Sequence, residues 1–185
     1  MSKGRLYVVS GPSGAGKSTV CKIVRETLGI NLSISATSRK PRVGEIDGVD
    51  YYFLTVEEFK KNIEENQFVE YANVHGNYYG TLKSEVENRI SRGEKVILEI
   101  DVQGGLQVKK IYPDAKLIFF KTPNVEILEH RLRNRNTDKE DTIALRLKNS
   151  IDELSYEKYY DCTIVNHTIE QACNDLINII NGKGE

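Results

Sequence analysis

The chain has 185 residues, with 26 Lys and Arg against 27 Asp and Glu, for a formal net charge of −1. That length suits one sizeable core with small inserted lobes, and the balanced charge provides no overall field to draw the chain to nucleic acid or an anionic membrane. No stretch approaches the about 20 apolar residues of a membrane span, no signal-peptide pattern opens the chain, and Cys21, Cys162 and Cys173 are too scattered for a disulfide framework or zinc site, so a cytoplasmic protein with reduced thiols is expected.

The first apolar run, Leu6 to Val9, reads as a buried strand, and Val20, Ile23, Val24 and Leu28 recur at helical spacing after it. Between them stands "SGPSGAGKST", residues 10 to 19, with the pattern G-x-x-x-x-G-K-[ST] from Gly11 to Ser18. Strand, glycine loop and helix are the context in which this pattern means a phosphate loop. Gly11, Gly14 and Gly16 let the backbone turn its N–H groups inward, with Pro12, Ser13, Ala15 and Thr19 completing the loop, and the helix adds its positive end. Lys17 is then the mobile cation that follows a transferred phosphoryl group. The Ser18 hydroxyl is placed to ligate Mg²⁺ bridging two phosphates of a nucleotide.

A second strand is expected over 31–36. Residues 37–90 break the alternation of strands and helices: "YYFL" and "FVEYANV" are strand-like, a helix capped by Thr55 lies between them, and "HGNYYGT" is rich in turn formers. This stretch reads as a small mixed β lobe. Arg39, Lys40 and Arg42 crowd its start, and alone they could be a solvated face. Tyr51, Tyr52, Tyr78 and Tyr79 add phenolic donors that can join arginines around a second phosphate, as an acceptor nucleotide requires. Glu70 lies inside an apolar run. It is either an outward-facing residue of a half-exposed strand or a carboxylate kept inside to accept a ligand's hydrogen-bond donors.

Strands are expected again at 95–101, 115–120 and 162–165, which with the intervening helices implies a parallel sheet covered on both faces. Residues 124–157 read as helical throughout and carry Arg131, Arg133, Arg135 and Arg146, suggesting a flap over the phosphates. In the last helix Thr168 and Gln171 have capping-box spacing, and Ile169, Ala172, Cys173, Leu176, Ile177 and Ile180 form one stripe read as core. His75, His130 and His167 fall in different elements, with no metal-binding spacing.

With "SGPSGAGKST", "SATSRKPRVGEIDGVDYYF", "FVEYANVHGNYYGT", "ILEIDVQG", "RLRNRNTDKEDTIALRL" and "DCTIVN" in this order, the chain resembles guanylate kinases over nearly its whole length. The resemblance implies an α/β P-loop fold, three-layered with a parallel central sheet (1–36, 91–123 and 158–185), an inserted mixed β GMP-binding lobe (37–90) and a helical lid (124–157). It also implies phosphoryl transfer from ATP to GMP with Mg²⁺, in purine nucleotide metabolism and GMP recycling, with no nucleic acid or membrane partner. By the same resemblance Arg39, Arg42, Tyr51 and Tyr79 hold the GMP phosphate, with Glu45 counted among the substrate-binding residues, and Ser35, Glu70 and Thr81 line the guanine. Arg42, Arg135 and Arg146 act with Lys17 on the transferring group, and Asn166 lies near the donor base. Glu99 stands where some members have the first aspartate of D-I-D, which leaves Asp101 to serve either hydrated Mg²⁺ or the guanine amino group.

Two other functions were weighed. "DVQG" at 101–104 is similar to the D-x-x-G of GTP-binding switches, but their N-K-x-D signature is absent. Guanylate-kinase-like modules that only bind phosphorylated partners look degraded in the phosphate loop, whereas Lys17 and Ser18 are intact here.

Overall fold

Side chains of β1 (Arg5–Ser10) pack alternately to two sides: Tyr7 and Val9 belong to one buried cluster, Leu6 and Val8 to another. A strand buried on both faces must be apolar at consecutive positions, which is why this segment carries a continuous run. The computed structural model describes residues 4–30, 33–74, 76–134 and 140–183. After β1 come α1 (Lys17–Leu28), β2 (Ala36–Thr37), β3 (Tyr52–Phe53), α2 (Val56–Glu64), β4 (Phe68–Val74), β5 (Asn77–Leu82) and α3 (Lys83–Ser91). They are followed by β6 (Lys95–Glu99), α4 (Val102–Ile111), β7 (Lys116–Lys121), α5 (Val125–Arg133), α6 (Glu140–Leu154), a 3-10 turn (Glu157–Tyr159), β8 (Cys162–Val165) and α7 (Ile169–Ile180).

The core sheet is parallel throughout, in the order β6-β1-β7-β8. Its Tyr7 face is covered by Val20, Cys21 and Val24 of α1 and by Ala172, Cys173, Leu176 and Ile180 of α7. The Leu6 face is covered by Val86 of α3 and Val108 of α4. Helices on both faces make the three-layer α/β architecture expected from the alternating elements. The buried Tyr7 hydroxyl donates to the Ile180 carbonyl at 3.0 Å and so keeps a polar partner inside the core.

The run at 31–36 does not supply a fifth core strand among the described residues. Ala36 and Thr37 pair instead with β3 in parallel and with β5 antiparallel, in a second, mixed sheet of order β3-β2-β5-β4. The backbone just before them is engaged in the same direction: the Ile34 N–H donates to the Glu85 carboxylate at 3.3 Å, and the Ser35 carbonyl accepts from the Tyr52 N–H at 2.9 Å. The second sheet has its own small core, where Phe59 of α2 stacks on Phe68 at 4.3 Å and on Tyr78 at 5.3 Å. Helix α2 starts at a complete capping box, in which Thr55 Oγ1 accepts from the Glu58 N–H at 3.1 Å and Glu58 Oε2 accepts from the Thr55 N–H at 2.7 Å.

Helix α3 packs on the core although its residues were expected to belong to the inserted lobe, because Val86 is apolar on the face that meets β1 and β6. From that helix Glu85 also accepts from the Tyr52 hydroxyl at 3.2 Å and pairs with Arg89 at 2.7 Å, joining the two sheets. The stretch 124–157 is largely helical where described, and Leu128 and Leu132 of α5 are buried. In α7, Thr168 Oγ1 accepts from the Gln171 N–H at 3.2 Å. Ile169 departs from the expected core stripe: it is 49% exposed, since the first turn of α7 projects past the sheet beside the phosphate loop.

Candidate active site

The loop after β1 needs glycine for definite reasons at two positions. Gly11 has φ +141°, and a Cβ built on it would stand 2.0 Å from the Phe120 carbonyl oxygen. Gly16 has φ +87°, and a Cβ there would meet Asn166 Nδ2 at 2.4 Å. Gly16 is also the N-cap of α1, which has no side-chain cap and no acidic residue in its first turn. The first N–H groups of this helix are thus left uncapped by a side chain, and an anion is what they and the helix dipole favour.

Lys17 donates through Nζ to the carbonyls of Gly11 and of Pro12, the latter at 2.9 Å, which keeps its ammonium inside the loop. The Ser18 hydroxyl donates to Glu99, at the end of the neighbouring strand β6. A hydroxyl and a carboxylate oxygen side by side are hard donors suited to Mg²⁺. The described residues contain no cluster of three His, Cys, Asp or Glu side chains able to hold a metal. The sequence marks Glu99 only as a departure from an aspartate, and the pairing of β6 with β1 is what brings it to the loop.

Asn166, 1% exposed, donates through Nδ2 to the Ala15 carbonyl at 2.8 Å, while its buried Oδ1 has no partner among the described residues. With Gly14, Gly16, Thr19, Arg131 and Ile169 it lines a cavity of about 270 Å³. Arg131 reaches the Asn166 carbonyl at 3.3 Å. Arg131 and Ile169 are additions to the expected set, and only the fold puts them beside the loop.

In the second sheet Arg39 grips Glu45 with both carboxylate oxygens, at 2.8 and 3.0 Å, and lies over the rings of Tyr51 and Phe53 at 5.5 and 5.9 Å. Tyr79 lies beside the same guanidinium and packs edge-on to Tyr51, with ring centres 6.2 Å apart. Glu45 also accepts from the Arg42 N–H at 2.7 Å, and these contacts, first Arg39 and then Arg42, hold its carboxyl below the usual range. Arg39, Glu45, Tyr51 and Tyr79 therefore come together, whereas Arg42 joins through its backbone and extends an exposed side chain. Tyr52 and Tyr78 belong elsewhere, one bonded to Glu85 and the other stacked on Phe59.

Glu70 is only 8% exposed, so the outward-facing alternative is excluded. It follows a bulge in β4 and accepts from Thr81 Oγ1 at 2.8 Å. Burial pushes its carboxyl above the ordinary range; the Thr81 hydroxyl opposes this and the charge of Asp101 adds to it. Asp101 uses Oδ1 to cap α4, accepting from the Gln103 and Gly104 N–H groups at 2.8 and 2.9 Å. Its Oδ2 lies toward Glu70: a methyl built on Gly104 would be 3.6 Å from Asp101 Oδ2 and 3.6 Å from Glu70 Oε2. Next to it Gly105 lies under Tyr160, whose hydroxyl donates to the Val102 carbonyl at 3.0 Å and would stand 2.3 Å from an added Cβ. Ser35 is half-buried at the entrance to β2.

Of the flap arginines, Arg135 lies outside the described residues, as does His75; Arg146 is half-buried on α6, and Arg133 pairs with Glu129 at 2.8 Å. The sequence matches the guanylate kinase family over residues 3–183. The chain belongs to the guanylate kinase family. It is 73% identical to a guanylate kinase of Fusobacterium nucleatum over 97% of both chains. It is 50% identical to one of Carboxydothermus hydrogenoformans over 95% of this chain and 87% of that one. In three dimensions it resembles the crystal structure of guanylate kinase from Anaplasma phagocytophilum, with a TM-score of 0.76 and 33% identity, covering 99% of this chain and 87% of that one. No helix among the described residues is long and apolar enough to cross a membrane.

Proposed function

We infer that this chain transfers the γ-phosphoryl group of ATP to GMP, giving ADP and GDP, and we assign its two anion-binding regions to the two nucleotides. The observation that carries the assignment is the pairing of an uncapped glycine-loop helix bearing Lys17 with a separate Arg39–Tyr51–Tyr79 cluster beside a buried, guanine-compatible carboxylate, Glu70. The loop residues Gly11, Pro12, Ser13, Gly14, Ala15, Gly16, Ser18 and Thr19 hold the donor's phosphates, with Asn166, Arg131 and Ile169 on the donor side. Arg39, Tyr51 and Tyr79 hold the GMP phosphate. Glu45 keeps Arg39 oriented, and Arg42 turns its side chain to the phosphoryl group in transit.

Guanine offers N1–H and NH₂ side by side, and Glu70 can accept both. Thr81 and Ser35 complete the base pocket. Because its free oxygen lies toward Glu70, Asp101 is assigned to the guanine side, and Ser18 with Glu99 to the metal side. Mg²⁺ bound there supplies charge neutralisation between the donor's phosphates. The protein's own part is alignment, charge neutralisation and exclusion of water; no general base is required for so loose a transfer. Lys17 leaves its carbonyl partners to follow the phosphoryl group, and Arg146 and Arg135 approach it from the flap.

A coupled assay of ADP formation with ATP against GMP, AMP, CMP and UMP tests the reading. Strong preference for GMP is expected. Equal rates with AMP would remove the role given to Glu70, and binding without turnover would favour a phospho-partner module.

A further inference from the structure

Gly105 lies inside α4, where glycine is unfavourable relative to alanine unless a neighbour needs the space of the methyl group. Two hydroxyls need it: a Cβ on Gly105 would stand 2.3 Å from the Tyr160 hydroxyl and 3.0 Å from Ser10 Oγ. Both reach past the glycine to the backbone where the helix begins. Ser10 Oγ donates to the Asp101 carbonyl at 3.2 Å, and the Tyr160 hydroxyl donates to the Val102 carbonyl at 3.0 Å. The Asp101 carbonyl already accepts the helical bond from the Gly105 N–H at 3.0 Å, so the Ser10 bond uses its second lone pair and ties the helix sideways to the core.

The ties come from well-anchored parts of the core. Ser10 is the buried last residue of β1, directly before the phosphate loop. The Tyr160 ring packs edge-on to buried Phe119 of β7, with centres 5.3 Å apart, and the next residue, Asp161, donates its N–H to the Leu117 carbonyl at 3.0 Å. On the other side of the same turn, Asp101 is directed to the second sheet. Its Oδ1 is held by the Gln103 and Gly104 N–H groups, and its Oδ2 lies toward Glu70. The direction of this carboxylate is therefore fixed by the stretch of backbone that Ser10 and Tyr160 hold.

We propose that Tyr160, assisted by Ser10, is a positioning residue for guanine recognition: it fixes the start of α4 so that the free oxygen of Asp101 meets the 2-amino group of guanine. The inference rests on the assignment of Asp101 to the guanine side made above. It adds that base preference is set in part from the core side of α4, by groups that act through Asp101.

The probes are GMP and inosine monophosphate, which lacks only the 2-amino group. Calorimetric affinities are measured on the full chain without ATP or Mg²⁺, and melting temperatures are recorded beside them. Tyr160→Phe keeps the ring on Phe119 and removes the tie; it should weaken GMP about three- to tenfold and inosine monophosphate less than about twofold. Should that variant fail to fold, Ser10→Ala removes the other tie and takes its place. Asp101→Asn retains an oxygen for the cap of α4 and replaces the free acceptor with a donor, so it should weaken GMP selectively, by about tenfold or more. In that background Tyr160→Phe should cost GMP less than about twofold further, because the group it positions is gone. A merely structural role would lower the melting temperature and leave the ratio of the two affinities unchanged. Such an unchanged ratio in Tyr160→Phe, or its full cost persisting beside Asp101→Asn, overturns the proposal. Absence of a selective loss of GMP in Asp101→Asn by itself overturns the Asp101 assignment, which separates the two failures.

Discussion

The two regions proposed to bind phosphate are built on opposite principles. The donor loop is made of backbone: glycines at φ +141° and +87° turn N–H groups inward, one helix start is left uncapped, and Lys17 is the charged side chain held within. The acceptor cluster is made of side chains, an arginine stacked on aromatic rings and oriented by a carboxylate, on a small sheet with a minimal core of its own. Backbone donors are rigid and bind the triphosphate chain that any donor nucleotide carries, whereas side chains can be chosen to discriminate one base and one monophosphate from others. The contrast implies that damage to the loop removes chemistry, while damage to the second sheet removes preference.

The largest expected effect follows from the donor side. Lys17→Ala should reduce kcat on the order of a hundredfold or more, because its charge is needed most in the transition state, with GMP affinity nearly intact. Steady-state kinetics beside calorimetric GMP binding check this, and loss of GMP binding would erase the proposed division. On the acceptor side, Glu70→Gln should cost roughly ten- to a hundredfold in kcat/KM for GMP, as expected when a charged hydrogen-bond acceptor is lost. The amide can donate to adenine N1, so the GMP-to-AMP ratio should also narrow. Tyr79→Phe, which removes one neutral donor from the Arg39 cluster, should raise KM for GMP by about two- to tenfold and leave kcat nearly unchanged.

The smallest effect is a pH dependence. The Glu70 carboxyl is raised in the folded chain, so the stability gained by keeping its proton is full below the ordinary carboxylate pKa and is lost as pH rises through the raised value. Guanine needs the charged form. GMP affinity should therefore increase with pH across that same window, with proton release. Titration calorimetry in buffers of different ionisation enthalpy measures this, and the increment beyond that of Glu70→Gln is the part due to Glu70, since the phosphate of GMP titrates in both. An identical profile in the variant would contradict the assignment.

The same contrast governs what can be read in the chain beforehand. The donor loop is local in sequence, and its glycine spacing announces its geometry. The capping box of α2 and the two-faced burial of β1 are equally local. Ala36 lies in the second sheet and not in the core, because a short apolar run does not state which sheet it joins; that is settled by Tyr52 and Glu85, distant in sequence. Arg131, Ile169 and Glu99 became visible as loop neighbours only when strands β6 and β8 were set beside β1 and β7. Glu70 is indistinguishable from a surface residue until the lobe is folded against α4.

The paired glycines of α4 bear on attempts to make this protein tolerate heat. Glycine inside a helix is the usual target for such work, since replacement by alanine gains up to about 1 kcal/mol per position in helix propensity. At Gly105 the gain is unavailable, because the added methyl would collide with the Tyr160 hydroxyl at 2.3 Å. At Gly104 there is room, with neighbours at 3.5 to 3.6 Å, but the methyl would lie between the carboxylates of Asp101 and Glu70. Gly104→Ala is thus a variant in which a sturdier helix and a poorer guanine pocket arrive together, and libraries selected for thermal survival alone would drift toward it at the expense of turnover.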